Sequence, residues 1–234
     1  MNLQFITSVS KGYWNSVGKH CISSWNLPGE VVVYIDQQEG DLTWLEEIPY
    51  RKRLLHVPEL DIANDYDVKT KIRKFWGKTC AQLDAVKNRG ENTRIIWLDA
   101  DIEQIESSKL SEKLFNFTFK DGVAMMRSNT HNADRYETGL VIFNQQHDKL
   151  DLFMRQYESF WNTEEELSSL FRPYDAMVLG AIGERRGFYN LCQNTCENKD
   201  AMTHTKYRKV LKHWINKKNK SILKESKEKN VENN

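Results

Sequence analysis

Apolar and β-branched runs alternate with amphipathic segments in the first part of the chain. The runs at 3–9, 30–36 and 93–98 are apolar on both faces, which is typical of buried strands in a parallel sheet. A shorter run at 54–57 predicts one more strand, and helical periodicity over 67–87 predicts a long amphipathic helix. Strands and helices in this order predict an α/β domain whose ligand crevice lies at the carboxyl ends of the strands.

The second part of the chain carries shorter elements. Apolar runs at 122–126 and 140–144 predict strands, and periodic segments at 150–161 and 176–184 predict helices. We expect these strands to continue the same sheet, which then becomes mixed.

A basic segment follows these elements. From about Lys206 the sequence predicts a basic helix, and from residue 216 onward Lys, Glu, Asn and Ser leave few apolar side chains to bury. We therefore expect one domain over 1–215 and a charged, disordered tail over 216–234.

Composition and charge narrow the range of functions. Of the 234 residues, 39% are hydrophobic, which is enough for one sizeable core. The 34 basic residues nearly balance the 33 acidic ones, so the chain as a whole offers no positive footprint for nucleic acid or an anionic membrane. No window approaches the roughly eighteen apolar residues of a membrane span, and no leader pattern precedes the first strand. We expect a cytoplasmic protein with reduced cysteines.

Two aspartates follow the apolar run at 93–98, where the predicted strand ends. Asp99 and Asp101 are one residue apart, so both carboxylates can turn toward the crevice and offer hard oxygen ligands to Mg²⁺ or Mn²⁺. A divalent cation there would bridge the diphosphate of a sugar nucleotide and neutralise the charge on the leaving group. An Asp-x-Asp tripeptide alone is a weak signal, and its position after a buried strand strengthens it.

With these features the chain resembles the GT-A glycosyltransferases, especially glycogenin-like enzymes and small bacterial and phage glycosyltransferases. The resemblance spans about 5–209, and its parts keep the family's order and spacing: 7–9, 71–84, 99–101, 137–144, 174–176 and 204–206. It implies a single GT-A domain, a Rossmann-like α/β fold with a mixed central sheet. It also implies transfer of a sugar from a nucleotide-diphosphate sugar, most often a UDP-sugar, to an acceptor hydroxyl.

The resemblance implies a metal site. Asp101 would be the principal ligand of Mn²⁺ or Mg²⁺, Asp99 would contact the metal or the ribose, and a C-terminal histidine, here His204, would complete the shell. The alternative for His204 is a surface histidine in a polar loop. Lys206 matches the lysine that binds the diphosphate, but Tyr207 follows it where the family often carries glycine.

Other positions match the donor-binding residues of the family. Three of them follow the first strand, where the family holds the nucleobase and ribose: Thr7, Ser8 and Val9. Tyr13 or Trp14 could stack on the base, or both could belong to the core. Asp36 ends the second strand and could accept a hydrogen bond from base or ribose. Lys78 matches a lysine that faces the donor, with a solvated helix lysine as the alternative.

Two carboxylates are the candidates for catalysis, because carboxylates neutralised by a cation make poor proton acceptors. Asp175 is the favoured acceptor-side base, and the alternative is a helix N-cap, a role that aspartate often fills. Glu137 precedes Thr138 and Gly139 and could instead position the hydroxyls of the sugar. The sequence leaves inverting and retaining chemistry both open.

The acceptor is the least constrained part of the prediction. Relatives in the cytoplasm of bacteria build surface glycans, so a glycan hydroxyl is favoured, whereas phage relatives in infected host cells could modify nucleobases in DNA. The basic segment over 206–220 would suit a phosphate backbone, but we favour a solvated helix and tail. A binding module without catalysis would be expected to lack the metal ligands, and Asp99, Asp101 and His204 are all present.

Overall fold

The computed structural model describes residues 1–60, 66–106, 110–127, 136–144, 148–170, 174–192 and 205–213. The strands within these ranges are β1 (Asn2–Ser8), β2 (Glu30–Asp36), β3 (Arg51–Leu55), β4 (Thr93–Leu98), β5 (Ile102–Gln104), β6 (Val123–Arg127), β7 (Tyr136–Phe143), β8 (Tyr189–Asn190) and β9 (Leu211–His213). The helices are α1 (Lys11–Tyr13), α2 (Lys19–Ser23), α3 (Tyr66–Lys87), α4 (Asp148–Trp161), α5 (Glu164–Ser168) and α6 (Asp175–Arg186). A π-helical turn (Trp14–Gly18) joins α1 to α2, and 3₁₀ turns lie at Thr43–Glu47, Glu112–Leu114 and Lys206–Lys209.

Seven strands form one sheet in the order β3-β2-β1-β4-β7-β6-β8. The first four of these run parallel, whereas β7 runs antiparallel to β4 and β6 runs antiparallel to β7. The predicted α/β class with a mixed central sheet is therefore confirmed. Because β1, β2 and β4 are parallel, their carboxyl ends meet at one edge of the sheet, next to the amino end of β7.

The core lies on both faces of the sheet. Alternate residues of β1 point to opposite sides, so Phe5 belongs to one apolar layer and Ile6 to the other. The second layer is covered by α3, α4 and α6, which bury a set of large side chains that includes Trp76, Tyr157 and Trp161. Burial on both faces explains why the strands are apolar throughout instead of alternating.

Several elements differ from the sequence-based prediction. The third strand ends at Leu55, earlier than expected, and β7 begins at Tyr136 instead of residue 140. The segment from Lys206 is not a basic helix in the described residues, because a 3₁₀ turn leads into β9, which pairs with β5. Pairing with another strand has overridden the local helical tendency here. Residues 214–234 lie outside the described part of the chain.

None of the helices in the described ranges combines the length and the apolar composition needed to cross a bilayer.

Gly180, in the middle of α6, faces β7. A methyl group there would overlap with the ring of Tyr136. Glycine therefore sets how closely α6, which begins with Asp175, approaches the strand that carries Glu137 and Thr138.

Gly180→Ala is expected to lower the free energy of unfolding by about 1–3 kcal/mol, because the packed Tyr136 ring must shift. Gly77→Ala in α3 is the matched control, since a methyl group there would meet Val57 at an ordinary 3.7 Å. Alanine at that helical position should add about 0.5–1 kcal/mol of stability. Urea unfolding followed by circular dichroism measures both variants, and equal stabilities would contradict the close approach of α6.

Candidate functional site

A cavity of about 860 Å³ opens at the carboxyl ends of β1, β2 and β4. This is the edge of the sheet at which the topology predicts a ligand crevice. Its walls are formed by Ser8 at the end of β1 and the following Val9, by Asp36 of β2 and by the first residue of α6, Asp175. Asp99 and Asp101 both line it.

Asp99 is held by donors from two directions. Its Oδ1 accepts hydrogen bonds from the indole Nε1 of Trp97 at 2.6 Å and from Lys78 Nζ at 2.7 Å. Its backbone N–H donates to the carbonyl oxygen of Gly139 at 2.8 Å. These contacts fix one carboxylate oxygen of Asp99 against the protein and leave Oδ2 on the side that faces His213.

Asp101 lies two residues later and is almost buried. Its Oδ2 accepts a hydrogen bond from the hydroxyl of Tyr13 at 2.6 Å, and its Oδ1 lies 3.0 Å from Nε2 of His213. The same Nε2 is 3.9 Å from Asp99 Oδ2. One imidazole nitrogen and one oxygen of each aspartate therefore converge on a single point.

A short two-stranded ribbon brings His213 to this point. β9 pairs antiparallel with β5 so that His213 lies opposite Ile102, the residue after Asp101. The ribbon is anchored because Trp25 Nε1 donates to the carbonyl oxygen of Ile102 at 2.7 Å, and Gln104 bonds to the segment after α2. The position of the imidazole thus depends on residues that lie far apart in the sequence, because the segment around Trp25 anchors β5 and β5 pairs with β9.

Lys78 is the buried cation of the site. Its Nζ contacts Asp99 at 2.7 Å, Asp175 at 2.6 Å and the carbonyl oxygen of Thr138 at 3.0 Å. The hydroxyl of Thr138 in turn donates to Asp175 Oδ2 at 2.5 Å. One ammonium group therefore joins α3, β7, α6 and the end of β4.

The charged groups of the site shift one another's pKa values. Burial alone would lower the pKa of Lys78, but the carboxylates of Asp175 and Asp99 raise it above its ordinary value, so the ammonium stays charged. Burial raises the pKa of Asp99 and of Glu137. For His213, burial is outweighed by Glu137 and Asp101, which raise its pKa to about 9.

The donor set suits a hard divalent cation. Carboxylate oxygens and an imidazole nitrogen are ligands that Mn²⁺ and Mg²⁺ accept, and potential ligand atoms of Asp99, Glu137 and His213 lie within 4.8 Å of one another. The Nδ1 atom of His213 is buried and makes no hydrogen bond. A buried imidazole between three carboxylates fits a cation site better than a packing role.

No protein-family model matches the chain, and no curated protein matches it in sequence. Solved structures do match its fold. The apo form of the glycosyltransferase GlyE of Streptococcus pneumoniae TIGR4 is 12% identical with a TM-score of 0.51, over 82% of this chain and 45% of GlyE. A glycosyltransferase involved in the glycosylation of the major capsid of PBCV-1 is 14% identical with a TM-score of 0.51, over 94% of this chain and 99% of that one. An active-site mutant of LgtC is 11% identical with a TM-score of 0.51, over 91% and 87%.

The chain has the GT-A fold. This agrees with the resemblance found in the sequence. The chain spans less than half the length of GlyE.

The GT-A domain brings most of the predicted donor-binding residues into the cavity. Ser8, Val9, Tyr13, Asp36 and Lys78 all line it. Asp36 accepts a hydrogen bond from Arg73 Nη2 at 2.8 Å, so a carboxylate and a guanidinium lie side by side at this wall. Lys78 is buried, which excludes the alternative of a solvated helix lysine.

Other predicted residues of the GT-A domain lie elsewhere. Thr7 is fully buried and is not among the residues that line the cavity, and Trp14 belongs to the core, as its alternative interpretation stated. Lys206 Nζ lies 4.1 Å from the centre of the Phe117 ring, away from the cavity lining. His204 falls outside the described residues, so its role as a metal ligand stays a prediction.

His213 is the site residue that the sequence analysis did not single out. No local pattern marks it, because two apolar residues followed by two polar ones over 210–213 are too short a signal to predict a strand. The resemblance drew attention to the nearby His204 instead.

Asp175 does not cap its helix. Tyr174 occupies the N-cap position, and Asp175, the first residue of α6, bonds instead to Lys78 and Thr138. The N-cap alternative for Asp175 is therefore wrong.

Lys78→Met is expected to lower the free energy of unfolding by about 3–5 kcal/mol, since it leaves two buried carboxylates without their cation. The double variant Lys78→Met/Asp175→Asn should lose less than the single one, because it removes one of the unpaired charges. Lys74→Met, at an exposed position of α3, is the control and should stay within about 0.5 kcal/mol of the wild type. Denaturant unfolding measures all three, and additive losses in the double variant would contradict the coupling.

Proposed function

We propose that this protein is a metal-dependent glycosyltransferase that moves a sugar from a nucleotide-diphosphate sugar, preferably a UDP-sugar, to a hydroxyl group of a glycan. The observation that carries the proposal is the convergence of Asp99, Asp101 and His213 beside the cavity at the carboxyl ends of the parallel strands. The fold supports it, because the neighbours named above are glycosyltransferases.

The size of the cavity supports a donor of this class. Small-molecule sites have volumes of roughly 300–1,000 Å³, and about 860 Å³ leaves room for a nucleotide and a sugar. Tyr13 offers an aromatic ring at one wall, against which a nucleobase can stack. Asp36 and Arg73 lie side by side at another wall and offer an acceptor and a donor to the base or the ribose.

Asp99, Asp101 and His213 would hold Mn²⁺ or Mg²⁺. When bound there, the cation supplies Lewis-acid stabilisation of the diphosphate leaving group. The protein prepares the ligands by hydrogen bonds from Trp97 to Asp99 and from Tyr13 to Asp101, which fix the directions of both carboxylates.

Asp175 is the carboxylate that we assign to the reacting sugar. Lys78 and Thr138 hold its Oδ2 at 2.6 and 2.5 Å, so its direction is fixed before any ligand binds. A fixed negative charge of this kind stabilises positive charge that develops on the sugar during transfer. Removal of the proton from the acceptor hydroxyl is its alternative task in an inverting reaction.

The acceptor and the location belong to the same proposal. We favour a glycan hydroxyl in the cytoplasm. The support for a DNA acceptor is the basic segment over 206–220. Residues 214–220 of that segment lie outside the described part of the chain.

Binding of a UDP-sugar is expected to require Mn²⁺ or Mg²⁺ and to be abolished by EDTA. Asp101→Ala should remove cation binding and turnover, because it deletes the carboxylate closest to His213. Calorimetry with UDP-, GDP- and TDP-sugars in the presence of Mn²⁺ measures the donor preference and the requirement together.

Glu103→Ala is the matched control for this experiment. Glu103 lies two residues after Asp101, but it pairs with His20 at 3.1 Å and does not line the cavity. It should bind cation and donor as the wild type does. Full activity in excess EDTA, or equal activity of both variants, would refute the metal site.

Asp175→Asn is expected to bind the nucleotide sugar normally and to turn over about a hundredfold more slowly, since the lost interaction arises only on the way to the transition state. Asp84→Asn is the control, because Asp84 is also paired, with Tyr34 and Arg53, but lies outside the cavity lining. Steady-state kinetics and donor titrations separate kcat from affinity. An Asp175→Asn protein with unchanged kcat and a lower melting temperature would assign Asp175 a structural role only.

A further inference from the structure

The imidazole of His213 has different neighbours at its two nitrogens. Nε2 faces Asp101 at 3.0 Å and Asp99 at 3.9 Å, which is the side of the proposed cation site. Nδ1 faces Glu137, whose Oε1 lies 3.5 Å away. Both side chains are nearly buried, with exposed fractions of 7% for His213 and 15% for Glu137.

Glu137 is itself held in place by the backbone. Its Oε1 accepts a hydrogen bond from the N–H of Gly139 at 2.7 Å. A methyl group at Gly139 would come within 2.8 Å of His213 Cε1 and 3.0 Å of Glu137 Oε1. Only glycine therefore allows the imidazole ring and the carboxylate to lie over the same stretch of β7.

A neutral imidazole carries one proton, and the nitrogen that binds a cation must be the one without it. His213 Nδ1 is buried and makes no hydrogen bond in this structure. Glu137 Oε1 is the carboxylate oxygen that faces it. Glu137 is therefore placed to accept a hydrogen bond from Nδ1 when Nε2 binds the cation.

We propose that Glu137 is a positioning residue that accepts a hydrogen bond from the Nδ1–H of His213 and so keeps Nε2 available to the cation. The inference rests on the proposed cation site. It gives Glu137 a role toward the histidine ligand, which is different from positioning the hydroxyls of the sugar. Carboxylates that receive the second N–H of a metal-bound histidine fix its ring and tautomer, and their loss costs about 10- to 100-fold in metal affinity.

Glu137 could instead bind the cation directly, since its oxygens lie close to potential ligand atoms of Asp99 and His213. Its position relative to the ring argues against this role, because Oε1 lies at the Nδ1 edge of the imidazole, whereas both aspartates lie at the Nε2 edge.

The first test measures Mn²⁺ affinity by calorimetry on metal-free protein without donor. Glu137→Ala should bind Mn²⁺ at least about tenfold more weakly than the wild type. Glu137→Gln should stay within about threefold of the wild type, because its amide oxygen can still accept from Gly139 and from His213. Glu103→Gln is the control for the loss of one negative charge close to the site, because the Glu103 carboxylate pairs with His20, and it should also stay close to the wild type.

The second test observes the tautomer of His213 in ¹⁵N-labelled protein loaded with Mg²⁺, with the imidazole signals assigned through His213→Gln. The wild type and Glu137→Gln should show a single form protonated at Nδ1. Glu137→Ala should show a mixture of tautomers or a broadened signal. Circular dichroism checks that each variant is folded, and the isosteric Glu137→Gln keeps the test decisive if Glu137→Ala does not fold.

The outcomes distinguish a failure of the role of Glu137 from a failure of the metal site. If Glu137→Gln binds Mn²⁺ as weakly as Glu137→Ala while the tautomer is unchanged, Glu137 is a direct ligand and the inference is overturned. If cation binding depends on His213 but not on Glu137, the inference fails alone and the metal site stands. If the wild type binds no Mn²⁺, or if His213→Gln binds it normally, the proposed function fails and the inference fails with it.

Discussion

The ammonium group of Lys78 lies in the interior between the carboxylates of Asp99 and Asp175, and the arrangement of the site depends on it. Without the cation that they share, two buried carboxylates would be left as unpaired charges, which is strongly destabilising. The same nitrogen reaches the carbonyl oxygen of Thr138, so it also links α3 to β7. Trp97 also donates to Asp99 and Thr138 to Asp175, but Lys78 is the group that joins the two carboxylates.

The sequence predicted the parts of the site that follow from the periodicity of strands. Asp99 and Asp101 end a run that is buried on both faces, and the parallel order of the strands places that end at the crevice. Lys78 and Asp175 came from the resemblance to GT-A enzymes, and their mutual contact of 2.6 Å is a tertiary fact that no local pattern contains. The sequence could not show which of two interpretations of Asp175 holds, because a carboxylate at a helix start looks the same in both.

His213 shows where prediction from a sequence ends. Its strand has three residues and a single short partner, so neither periodicity nor propensity distinguishes it from the basic segment around it. Its place is decided by anchors remote in sequence, such as the hydrogen bond from Trp25 to Ile102. Glu137 presents the same difficulty, since its neighbour is a histidine that lies far along the chain.

The ribbon of β5 and β9 has a consequence for the order in which the protein matures. In the described part of the chain, His213 follows every strand of the central sheet. The elements that hold Lys78 and both aspartates are therefore synthesised before the imidazole. The proposed set of cation ligands is therefore complete only when β9 pairs with β5.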